Sequence, residues 1–179
     1  MKSKNILAIV IIVVLFVAPG SMAFAAQDRF TLKAPNGVAF AEIRGYETWQ
    51  VIAPSEVDDG IKVILGNAVM INAYREGVPG NGKPFPEGSI IVKIKWSKRK
   101  SPVFPAATEP DTLNKVQFIV KDSRRFPDTG GWGYAEFMYD TASDTFKPYG
   151  SDSSFAKECY QCHTLVKTKD YIFTGYPRR

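Results

Sequence analysis

The chain has 179 residues, a formal charge of +5, 45% hydrophobic residues, two cysteines and one histidine. That length supports one ordinary domain with a real core. The cysteine count excludes a disulfide framework, the lone histidine excludes bis-histidine ligation of a metal within one chain, and scattered rather than striped basic residues argue against nucleic-acid binding.

In chain order, Lys2 and Lys4 precede an apolar run from Ile6 to Ala18, broken by Pro19-Gly20 and followed by Ala23-Phe24-Ala25. A positive start, a short apolar run and a small-x-small site predict a signal peptide over residues 1–26, cleaved after Ala25 or Ala26, and hence a periplasmic or exported protein. The run is short for a membrane-spanning helix, which needs about 20 apolar residues. Removing two lysines and no acidic residue lowers the charge from +5 to +3. The remaining 27–179 read as one domain.

Gln27 to Asn36 is expected to be a mobile lead-in. Short strands are predicted at Trp49–Ala53 and Ile61–Leu65. Asn67 is placed to cap a helix running to about Glu76, and Gly77–Gly88, rich in Gly and Pro, reads as a loop. Ser89–Ser97 alternates Ile90, Val92, Ile94 and Trp96 against Ile91, Lys93 and Lys95. Lys115–Lys121 alternates Val116, Phe118 and Val120 against Lys115, Gln117, Ile119 and Lys121, and is its expected partner. A turn at Gly130-Gly131 leads to a strand over Trp132–Tyr139, and a short helix is expected over Ser154–Leu165. The fold class is mainly β (α+β): an antiparallel sheet with a few short helices.

The last helix carries the chemistry. Cys159-Tyr160-Gln161-Cys162-His163 is the C-x-x-C-H pattern of covalent c-type haem attachment. Residues three and four apart share a helix face, so both thiols reach one porphyrin edge and His163 can ligate the iron. A closed zinc site wants four ligands, and a thiol redox pair wants its cysteines at a helix N-terminus; Phe155-Ala156-Lys157 places them inside the helix. With no second histidine, only Met70 and Met138 of the remaining chain offer a familiar sixth ligand, and both sit in apolar stretches that read as core. The expected iron is five-coordinate with an open distal side, which favours ligand binding or catalysis over simple electron carriage.

Several stretches in order resemble the cytochrome P-460 family, which includes the related cytochrome c′-beta. They are Ile61–Asn67, Pro84–Gly88, Lys93–Trp96, Phe118–Asp122, Gly130–Tyr134, Cys159–His163 and Asp170–Thr174. The resemblance implies one covalent haem c packed on the sheet, usually in a homodimer, and chemistry on small nitrogen species or diatomic gases. Cytochromes P-460 oxidise hydroxylamine to nitric oxide or nitrous oxide, delivering electrons to a soluble redox partner protein. Cytochromes c′-beta bind nitric oxide and carbon monoxide without turnover, and a simple electron carrier is a third possibility. The resemblance aligns Lys93 with a lysine joined to the porphyrin; taken alone, Lys93 is a solvated strand lysine. Gln117 falls near a position where family members carry a proton-accepting carboxylate, and an amide is no base. Lys62 falls where a basic residue stands near the distal side, though by itself it reads as a surface lysine. Glu136 is a candidate substitute carboxylate that alone reads as a surface residue.

Overall fold

The computed structural model describes residues 26–179, so the expected signal peptide and its cleavage site lie outside the described residues, apart from Ala26. Six strands follow one another across a single sheet: β1 (Gln50–Val57), β2 (Gly60–Gly66), β3 (Ile90–Lys100), β4 (Thr108–Lys121), β5 (Trp132–Asp140) and β6 (Thr145–Pro148). Their spatial order is their chain order, and every pair is antiparallel. A helix, α1 (Ala68–Arg75), sits between β2 and β3, and a second, α2 (Phe155–His163), follows the sheet. The mainly β architecture is therefore as expected. Among the described residues no helix is long and apolar enough to cross a membrane.

One face of the sheet is closed by the chain itself. Val92, Val116, Phe118, Val120 and Phe137 are buried there. Phe40, from a 3-10 turn at Phe40–Ile43, packs its ring 4.9 Å from Phe137, 5.3 Å from Phe146 and 6.2 Å from Phe118. Met70 and Ile71 of α1 are buried as well, and Ile71 meets Ile52 over Gly66, on the side of the sheet that Gly66 shares with Ile91. Asn67 caps α1 as expected, its side chain accepting from the Met70 amide at 3.0 Å and donating to the Gly88 carbonyl at 2.8 Å, so one residue ties the helix start to the β3 entrance.

Three expectations need correction. The lead-in is pinned rather than mobile: Gln27 exchanges two hydrogen bonds with the Phe146 backbone, and the Asn36 amide donates to the Tyr134 carbonyl at 2.8 Å. The strand over Lys115–Lys121 begins seven residues earlier, at Thr108. There β3 and β4 run on beyond β2, whose pairing ends at Ile61↔Trp96, and beyond β5, whose pairing ends at Lys115↔Met138. The resulting two-stranded arm is wet on both sides, so its sequence carries no apolar alternation to read. Its tip exposes Val103 (90%) and Phe104 (64%). Finally, Met138 is 39% exposed rather than core, whereas Met70 is fully buried as expected.

Candidate functional site

The other face of the sheet holds a cavity of about 500 Å³, within the range of small-molecule and cofactor sites. Strand register writes its wall in rungs. Gly66, Ile91, Ile119 and Tyr134 are successive cross-strand partners and make an apolar rung. The next rung runs Ala53, Ile64, Lys93, Gln117 and Glu136. The one beyond it runs Ser55, Lys62, Lys95, Lys115 and Met138. Lys62, Lys93, Gln117, Glu136, Tyr134, Cys159 and His163 all line the cavity, with Ile172 and Phe173 from the C-terminal segment. The alternation expected for β3 and β4 thus puts Lys93 beside Gln117, and Lys62 lies in the wall rather than on a free surface.

Glu136 is the principal departure from expectation. It is buried, not a surface carboxylate. Lys115 Nζ donates to its Oε1 at 2.7 Å, and Gln117 Nε2 donates to its Oε2. The Gln117 amide on β4 therefore orients a carboxylate on β5. Two residues of the cationic rung are neutralised, Lys95 by Asp59 and Lys115 by Glu136. Lys62 and Lys93 have no ion-pair partner among the described residues. Burial, followed by the charge of Lys62, pushes the Lys93 ammonium down to about 8. Burial, followed by the charge of Lys95, also holds Lys62 below the ordinary lysine range.

Below the sheet, α2 delivers Cys159 and His163 to the cavity, while Cys162 is exposed and lies outside the lining. Both cysteines are free thiols inside the helix, one turn apart. His163 donates Nδ1–H to the Tyr171 carbonyl at 2.6 Å, because a carbonyl can only accept. Nε2 is thereby left with its lone pair on a side chain that lines the cavity. The imidazole is held edge-on between Tyr134, 5.1 Å away, and Phe173, 5.0 Å away. Burial lowers its pKa, which keeps it neutral and fit to ligate.

These features fit a haem. The Nε2 lone pair of His163 is available to a metal, and among the described residues no cluster of three or more His, Cys, Asp or Glu side chains is built to hold a bare ion. The rung of Gly66, Ile91, Ile119 and Tyr134 gives the wall an apolar strip, and the Tyr134 hydroxyl is buried without a hydrogen-bond partner. Neither Met70 nor Met138 lines the cavity. Tyr134 and the Tyr171 carbonyl went unread in sequence as site groups, because the arrangement that assembles them joins the sheet to a C-terminal turn.

An antiparallel sheet with one open face, closed at one end by a helix bearing Cys-x-x-Cys-His with the histidine turned into the cavity, defines a protein built around a c-type haem. The family model described as Cytochrome P460 matches residues 43–174, most of the chain, and the chain belongs to that family. It is a c-type haem protein of the P460 kind. No curated protein matches the chain.

Proposed function

We propose that this is an exported protein carrying one haem, joined by thioethers to Cys159 and Cys162 and ligated by His163, that oxidises hydroxylamine to nitric oxide or nitrous oxide. The observation that supports this reading most is the rung Lys93–Gln117–Glu136 in an otherwise largely apolar cavity. A neutral diatomic gas needs no buried carboxylate, whereas oxidising hydroxylamine releases a proton with each electron. The haem supplies an iron site for the substrate nitrogen and a path for its electrons. Glu136 accepts protons, Gln117 orients its carboxylate and Lys115 pairs with that carboxylate. Lys62 adds a positive charge to the same wall. Lys93 is bonded through Nζ to the porphyrin edge; forming that bond removes two electrons, which a two-electron oxidant must take up during maturation. The protein works as a homodimer and passes its electrons to a soluble redox partner protein.

The test uses holoprotein matured with the c-type assembly machinery. Acid–organic extraction should leave the haem on the chain, and peptide mass spectrometry should find the Lys93 peptide carrying porphyrin. With hydroxylamine and an oxidant the protein should turn over, and Glu136→Gln should lower kcat about 10²-fold or more with haem content unchanged. Haem released by extraction overturns covalent attachment. An unmodified Lys93 peptide together with no turnover overturns the enzyme reading in favour of a nitric oxide or carbon monoxide binder.

A further inference from the structure

The segment after α2 carries an unusual backbone. Asp170 and Tyr171 are consecutive non-glycine residues with positive φ, 49° and 65°. L-residues adopt this conformation only where their surroundings over-determine it. The surroundings here are specific. Lys121 Nζ donates to both Asp170 oxygens, at 2.9 and 3.1 Å, and to the Gly130 carbonyl at 3.0 Å. The Phe85 amide donates to Asp170 Oδ2 at 2.8 Å. The pair is dry: the Lys121 side chain is 6% exposed and that of Asp170 10%. The Lys121 ammonium also lies 4.9 Å from the centre of the Trp132 ring. A Cβ at Gly130 would stand 2.3 Å from the Tyr171 ring, so the Gly130-Gly131 turn seen in the sequence is what lets that ring pack.

The product of this anchoring is one carbonyl. Tyr171 O is the acceptor of His163 Nδ1–H. We propose that Asp170, clamped by Lys121, is a positioning residue that aims the Tyr171 carbonyl at His163 and thereby sets the donor strength of the iron ligand. A strong Nδ1–H···O=C bond fixes the tautomer and pushes electron density toward Nε2. A more basic Nε2 stabilises ferric over ferrous iron. The clamp ties β4, the Gly130 turn and the Pro84–Gly88 loop to that one hydrogen bond, so the ligand's basicity depends on residues that do not line the haem cavity.

This inference rests on His163 being the iron ligand. It is tested in the holoprotein with Asp170→Asn, with Lys121→Met/Asp170→Asn, which avoids stranding a buried ammonium, and with Asp170→Gly, which keeps the positive φ without the clamp. The readouts are the iron–histidine stretching frequency of the ferrous form by resonance Raman and the midpoint potential. All three variants should lower the frequency and favour the ferrous form about tenfold, the order expected for losing an outer-shell partner. Unchanged frequency and potential in any variant that folds and retains haem overturns the proposal. His163→Ala is run alongside: if it keeps the normal ferric spectrum and the same stretch, the ligation reading fails instead.

Discussion

Lys93 stands where burial and charge repulsion act together. A four-carbon stem ending in an ammonium lies between Ile64 and Gln117 on the cavity wall, and Lys62 lines the same wall. Desolvation and repulsion both disfavour the cation. With its pKa near 8, about a tenth of the side chain is free amine at pH 7, far more than for an ordinary lysine, and free amine is the nucleophilic form. In haem-free protein, competitive labelling with an amine-directed reagent should show Lys93 reactivity titrating near pH 8; a midpoint near 10.5 would contradict it. The linkage has a definite sign. The unfolded chain holds this proton up to about 10.5 and the folded chain loses it near 8. Between those values the unfolded state binds more protons, so the Lys93 contribution makes stability rise with pH. Below pH 8 both states are protonated and the penalty for the buried charge is fully present.

Alternation in β3 was enough to put Lys93 and Lys95 on one face, yet it could not separate their fates. Register does so: Lys93 falls on the rung with Gln117 and Glu136, and Lys95 on the next, where Asp59 neutralises it. Glu136 was offered by the sequence as an alternative carboxylate, but its burial was unreadable for the same reason. Its burial depends on which residue of β4 it faces, and that is set by hairpin geometry rather than by local pattern.

At the scale of elements, the strands with one buried face were legible, because period-two patterning survives wherever one side is dry. β6 and the outer half of β4 were not. β6 has four residues, too few for a period. Thr108–Asn114 pairs only with β3, held in part by Arg99 to Glu109 at 3.0 Å, and needs no apolar face. The segment before β1 hid its role because it uses single large anchors instead of a repeat. Phe40 is the clearest of these, fully buried against four other phenylalanines and Tyr46. Phe40→Ala should cost about 3–5 kcal/mol of stability, measured by chemical denaturation. A loss under about 1 kcal/mol would mean the lead-in adds little to the core.

Considered whole, the molecule is a sheet with one face sealed and the arm of β3 and β4 projecting past it. The proposed homodimer has a natural candidate contact at the arm's tip, where Val103 and Phe104 are the most exposed pair of large apolar neighbours. A two-stranded ribbon is marginal alone, and apolar side chains at its end gain by being covered. Val103→Ser/Phe104→Ser should shift the holoprotein from dimer to monomer in sedimentation at micromolar concentration, with its haem spectrum kept. A dimer that persists unchanged would mean the contact lies elsewhere.

The position of α2 has a consequence for how the protein is made. All six strands precede Cys159 in the chain, so every residue of the sheet emerges before the thiols during synthesis. By then the sealed face already has every residue it needs, from Phe40 to Phe146. Under the proposed haem attachment, the thioethers therefore form on a chain whose six strands have all been synthesised.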